Sequence, residues 1–150
     1  MLRLDGTIAS ILKGKGSAVW SVSPQRTVYD AIEMMADKSV GALLVVSERK
    51  LVGIISERDY ARKVILRGKS SATTLVHEIM SSPVTFVTAK HRVDECMDLM
   101  TKNRVRHLPV IENDNIFGIV SIGDLVRWAI SEQQETIEHL QNYITVKYPT

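Results

Sequence analysis

The sequence predicts an α/β fold of the α+β kind: two β-α-β-β-α units related by a pseudo-twofold axis, with flanking N- and C-terminal helices. Three observations predict it. The 150-residue chain aligns with itself, residues 22–62 on residues 87–127, at one gap-free offset of 65 positions. Landmarks pair throughout, among them Val28 with Val93, Met35 with Met100, Leu43 with Leu108 and Gly53 with Gly118. Each copy carries an apolar stripe at helical spacing followed by two short apolar runs. Each second run then ends in the same junction, Gly-h-h-Ser-x-x-Asp with h apolar, at Ser56 and Asp59 and again at Ser121 and Asp124. Two copies are too few for a solenoid, so a closed pair that packs copy against copy is expected.

The elements follow in order. Residues 7–12 read as a short leading helix and residues 14–17 as a flexible turn. An extended piece (residues 19–23, then 84–88) opens each copy. In the first copy Val28, Ala31, Ile32 and Met35 fall at i, i+3, i+4 and i+7, as do Val93, Cys96, Met97 and Met100 in the second. That spacing makes one face of a helix apolar. The continuous apolar runs 42–46 and 108–111 suit strands covered on both faces. Polar turns at 47–50 and 112–115, the latter rich in Asn and Asp, predict hairpins returning along 51–55 and 116–120. A second helix starts at Ser56 and at Ser121. Residues 68–72 form the clearest linker, and a short helix at 76–80 ends before Pro83. The last helix is expected over residues 123–143, with Leu125, Trp128, Ile137 and Leu140 along it. The organisation is thus a helix and turn (1–18), unit one (19–67), a linker (68–83), unit two (84–130) and a helical extension (131–150).

Composition narrows the function. Nineteen Lys and Arg against 17 Asp and Glu leave a net charge of only +2, too little for a non-specific nucleic-acid binder. The single Cys96 excludes an intrachain disulfide framework and a cysteine zinc site, and its place in the helical stripe makes it a core residue. No run approaches the ~18 apolar residues of a membrane span. Asp5, Lys13 and Lys15 interrupt any secretory apolar region, so a cytoplasmic protein without membrane partners is expected. His77, His91, His107 and His139 give no pair at metal-ligand spacing, and neither a P-loop nor a nucleophile elbow is present. An enzyme is not expected.

The repeated Ser-x-x-Asp has two readings. A helix start explains it, the Ser capping free N–H groups and the acid closing a capping box. A ligand site explains it as well. A carboxylate at the end of a strand can accept from two vicinal ribose hydroxyls, while nearby free amides favour phosphate. Its recurrence at matched positions favours the second. In the second copy Arg104-Val-Arg106-His107-Leu108-Pro109 opens the buried strand, where the first copy has Ser39-Val40-Gly41-Ala42-Leu43-Leu44. Arg suits phosphate through its planar fork of donors. Gly41 and Ala42 lack bulk and would let a flat ring approach the backbone. His107 would serve as a ligand donor or as a structural hydrogen-bonding group.

Together, the doubled unit, the two Ser-x-x-Asp junctions and the Arg-His-Leu-Pro-Val strand start resemble a tandem pair of CBS domains over roughly residues 19–127. Ser56-Glu-Arg-Asp-Tyr-Ala-Arg-Lys-Val64 and Val120-Ser-Ile-Gly-Asp-Leu-Val126 resemble the small stand-alone proteins of that family. The resemblance implies units packed through their sheets and two clefts, each built from both copies, that take adenosine ligands. AMP, ADP, ATP or NAD(H) come first among these and S-adenosylmethionine after them, with none serving as a catalytic cofactor. By position, one cleft would use Lys15, Gly16, Ser17, Ala18, Gly41 and Ala42 with Ser121 and Asp124. The other would use Met80, Ser81, Ser82, Arg106 and His107 with Ser56, Arg58 and Asp59, and Pro109 belongs to the same strand-start motif.

A regulatory module for energy or redox sensing is therefore expected, acting in trans on a protein partner through ligand-dependent change in conformation or assembly. The alternative is an interaction scaffold with vestigial clefts that works through its C-terminal helix. A homodimer is expected, with Val64, Ile65, Leu125, Trp128 and Ile130 offered as its apolar interface.

Overall fold

The computed structural model describes residues 6–16 and 18–147, with side chains as far as residue 142. Its elements are α1 (Ile8–Lys15), β1 (Ser21–Val22), α2 (Val28–Lys38), β2 (Ala42–Ser47), β3 (Lys50–Ser56), α3 (Glu57–Tyr60), α4 (Val76–Ile79), α5 (Val93–Asn103), β4 (His107–Glu112), β5 (Asn115–Ser121) and α6 (Ile122–Lys147). A π-helical turn, Ala61–Ile65, continues α3. No helix among the described residues is long and apolar enough to cross a membrane.

The two copies fold alike down to their irregularities. Ala42 pairs with Ser56 in the first hairpin and His107 with Ser121 in the second, so each strand start lies opposite the junction Ser. The register shifts at Val45/Val46 and at the matching Val110/Ile111. Both hairpins turn through two residues at positive φ, Glu48 (50°) and Arg49 (66°), then Asn113 (50°) and Asp114 (63°). Such turns match the twist of the flanking strands. Asn-Asp tolerates that backbone well; Glu-Arg adopts it because the strands impose it.

The copies differ at their opening strands. β1 pairs in parallel with β2, using Leu44 N–H donating to the Trp20 carbonyl at 3.2 Å. The extended piece expected at residues 84–88 reduces to a bridge between Val87 and Val110. The cause is Pro109, which stands where the first copy has Leu44 and has no N–H to donate. Only Val87 N–H to the Pro109 carbonyl (3.0 Å) and Ile111 N–H to the Val87 carbonyl (2.8 Å) remain.

Each unit has its own core, and each core borrows a helix. Val28, Ala31, Met35, Leu43, Val45, Ile55 and Val64 bury together with Val76 and Ile79 of α4. Val93, Cys96, Met100, Leu108, Val110, Val120 and Leu125 bury together with Ile8, Ile11 and Leu12 of α1. The leading helix therefore serves the second unit and the linker helix the first. These two helices are themselves equivalent. Ile8 and Ala9 N–H donate to the carbonyls of His91 and Ala89; Val76 and His77 N–H donate to those of Arg26 and Pro24, the matching positions. Both press on the central glycine of a returning strand. A Cβ on Gly118 would lie 2.9 Å from Leu12, and one on Gly53 2.5 Å from Met80 Sδ.

Three expectations change. α1 runs through Gly14 and Lys15 instead of giving way to a turn there, and ends at Gly16, whose φ of 91° suits glycine. The helix from Ser56 is interrupted by the π turn at Ala61. Of the apolar residues offered as an interface, Val64 and Leu125 are fully buried in their own units, and Trp128 covers Gly6 with its ring. Ile65 and Ile130 do lie exposed, beside Leu66, Ile122 and Val126.

Candidate functional site

Two clefts of similar size lie where the strand starts and the junction helices of opposite copies meet. The Asp124 cleft, about 330 Å³, is lined by Lys15, Gly16, Ala18, Gly41, Ala42, Ser121 and Asp124, all expected there. Ser17 lies outside the described residues. Trp20, Ile119 and Arg127 also line this cleft and were not anticipated. The Asp59 cleft, about 340 Å³, gathers Ser56, Arg58, Asp59, Ser81, Arg106 and His107 as expected, and adds Arg62, Lys63 and Arg104. Met80 and Ser82 face an adjoining hollow instead, Met80 being turned over Gly53. Pro109 lies buried in β4 and lines neither cleft among the described residues, its carbonyl taken by Val87 N–H.

The same backbone device sets both walls. Glu57 N–H donates to the Gly41 carbonyl (3.1 Å) and Ile122 N–H to the matching Arg106 carbonyl (2.8 Å), tying each strand start to the following helix. Gly41 and His107 line both clefts, and a Cβ on Gly41 would sit 3.6 Å from the His107 ring. One imidazole thus separates the two cavities.

Both capping boxes form, so the helix-start reading of Ser-x-x-Asp holds alongside the cleft placement. Asp59 Oδ2 accepts from Ser56 N–H (2.9 Å) and Ser56 Oγ (3.1 Å), while Oδ1 faces Lys63 Nζ at 3.1 Å. Asp124 is more fully engaged and only 8% exposed. Its Oδ2 accepts from Ser121 N–H (2.8 Å) and Lys15 Nζ (2.6 Å), and its Oδ1 from Arg127 Nη2 (2.6 Å). Lys15 Nζ also donates to the Ile119 carbonyl at 2.8 Å, pinning the end of α1 to β5. Burial pushes the Asp124 carboxyl up, but the Lys15 and Ser121 hydrogen bonds together carry it below its ordinary 3.8. Trp20, at the rim, carries Lys38 Nζ 4.3 Å from its ring centroid.

His107 is held below the ordinary histidine value of 6.5, by burial first and then by Lys15 and Arg106, with Asp124 opposing. The unfolded chain therefore takes up a proton at this site before the folded one does. Folding stability should fall as the pH drops below 6.5, and Asp124 adds a loss of the same sign as the pH falls through and below 3.8. In urea titrations across a pH series, His107→Gln should flatten the upper of these two slopes. An unchanged slope would place the titrating group elsewhere.

The fold defines a class: a paired-repeat protein with two clefts shared between its copies. A family model described as CBS domain matches residues 17–66 and 76–131. The chain belongs to the CBS-domain family and carries a tandem pair. It is 42% identical over 152 residues to the CBS domain-containing protein CBSX3, mitochondrial, of Arabidopsis thaliana, a match covering 95% of this chain and 73% of that one. Among solved structures, a protein with CBS domains from Burkholderia ambifaria MC40-6 is 48% identical with a TM-score of 0.82, covering 85% of this chain and 96% of that one. The CBS domain pair of protein MJ0100, solved in complex with 5′-methylthioadenosine and S-adenosyl-L-methionine, is 24% identical with a TM-score of 0.76, covering 85% and 98%. That last likeness is one of fold.

Proposed function

We propose that the chain is a regulatory module that binds adenine nucleotides in its two clefts and signals their occupancy in trans to a protein partner, as a homodimer. One observation carries the reading. The buried or half-buried carboxylate of each repeat faces a cavity whose opposite wall comes from the other copy, so a ligand there bridges both units. Cavities of about 330–340 Å³ fall at the small end of the range for ligand sites. In this reading Asp59 and Asp124 accept from ribose hydroxyls, Gly41 and Ala42 leave room for a ring, and the basic residues meet phosphate. AMP, ADP, ATP and NAD(H) all present these groups. The ligands of the MJ0100 domain pair, which shares the fold, have the adenine and ribose in common with these, without the phosphate.

Isothermal titration tests it. Asp59→Ala and Asp124→Ala should each weaken one site by about ten- to a hundredfold, the loss of a charge-assisted hydrogen bond of roughly 1.5–3 kcal/mol. A double variant that titrates with AMP or NADH like the wild type sinks the ribose assignment. The module is read as a binder without turnover, so nucleotide mass should be unchanged after incubation. The scaffold reading is favoured by one feature, the exposed Ile137 and Leu140 on the long α6. A protein that neither retains nor binds adenosine ligands yet captures a partner through α6 would support it.

A further inference from the structure

We propose that the two clefts are sorted by charge, the Asp59 cleft being a polyphosphate site that takes one di- or triphosphate group per chain, and the Asp124 cleft taking ligands with at most one phosphate. The sorting rests on the nucleotide reading for the adenosine half of the ligand, but its own evidence is separate. The wall of the Asp59 cleft carries Arg58, Arg62, Lys63, Arg104 and Arg106. Among the described residues, only two carboxylates share that wall, Glu57 and Asp59, in a chain whose whole net charge is +2. Among the described residues, only Lys63 of the five cations pairs with an acid. Four arginines crowded round one cavity, none of them in an ion pair among the described residues, repel one another, and a polyanion relieves that repulsion. The planar guanidinium suits phosphate oxygens in particular.

The repeat shows where the difference arises. Arg104 and Arg106 stand where the first copy has Ser39 and Gly41, and Arg58 and Lys63 stand where the second has Gly123 and Trp128. Strand starts and junction helices pair crosswise, so all of these cations reach the same cleft. The backbone is common to both copies: Arg104 ends α5 at φ 53° as Ser39 ends α2 at φ 56°. The fold thus sets the position, and the second copy's strand start supplies a charge there that the first copy's lacks. Among the described residues, the Lys and Arg of the Asp124 cleft are Lys15 and Arg127 alone, and both are already paired with Asp124 itself.

The test replaces Arg104 and Arg106 by the first copy's residues, as R104S/R106G, which that copy's backbone already tolerates. Titration without divalent cations should show wild type binding ATP at least tenfold more tightly than AMP. In R104S/R106G that ratio should fall to within about threefold. K90A/K102A, which removes two exposed charges outside the clefts, should keep the wild-type ratio. Inorganic tripolyphosphate is the independent arm. It should bind wild type once per chain and lose at least tenfold in R104S/R106G. Tripolyphosphate binding of that kind without any binding of adenosine or AMP would retire the adenosine reading and leave the polyanion site standing. AMP and adenosine binding with no gain for ATP, or two tripolyphosphates per chain, would overturn the sorting and leave the nucleotide reading standing.

Discussion

Replacing Ile8 by alanine should destabilise the protein by about 2–5 kcal/mol, although Ile8 precedes both repeats in the chain. Its side chain is fully buried among Val93, Leu108 and Val120 of the second unit, so truncation leaves a cavity in a core it does not adjoin in sequence. Trp128 belongs to the same packing, its ring lying over Gly6 just before α1, and its fluorescence should report the loss. Urea denaturation gives the number: the midpoint should fall while the slope stays constant. Val76→Ala, the matching change in α4, should do the same through the first unit's core. An Ile8→Ala midpoint equal to wild type would mean that α1 does not hold the second unit together.

This crossing of helices is the part of the fold that the sequence hid. The repeat was legible because residues 22–62 and 87–127 match at one offset without a gap. The leading helices match at a different one: Ile8 answers to Val76 and Ile11 to Ile79, 68 positions apart. Three extra residues between α1 and the first repeat are enough to hide a short helix from an alignment with one fixed shift. The missing strand at residues 84–88 was visible in principle, since Pro109 in a paired strand announces a lost donor. The Ser-x-x-Asp junctions were legible because they recur. Arg104 was legible beside Arg106 as the basic pair that opens the second copy's strand, whereas Arg62, Lys63 and Arg127 gave no site signal, since charged residues on helices read as ordinary solvated surface until the opposite wall is placed. Trp20 and Lys38 meet only through the fold.

The interface was half legible, for a related reason. α6 carries two apolar series at helical spacing. Leu125 and Trp128 turn toward the unit's own core, while Ile122, Val126 and Ile130 form a second line, 37%, 44% and 50% exposed. Hydrophobicity alone does not say which series a single unit consumes. Ile65 and Leu66 expose a comparable patch after α3 in the other unit. Two such helical faces, one per repeat, suit a closed twofold pairing, in which each surface meets its equivalent or its partner's. Val126→Glu with Ile130→Glu should therefore abolish the proposed dimer. It would place four carboxylates per dimer in an apolar contact, where burying each unpaired charge costs several kcal/mol. Both side chains are exposed within one chain, so the fold should survive, with unchanged circular dichroism. Light scattering should give twice the 16.8 kDa chain mass for wild type and one chain mass for the variant. A wild-type mass of one chain at micromolar concentration sinks the dimer. A variant that stays dimeric moves the contact along α6, to the exposed Ile137 and Leu140.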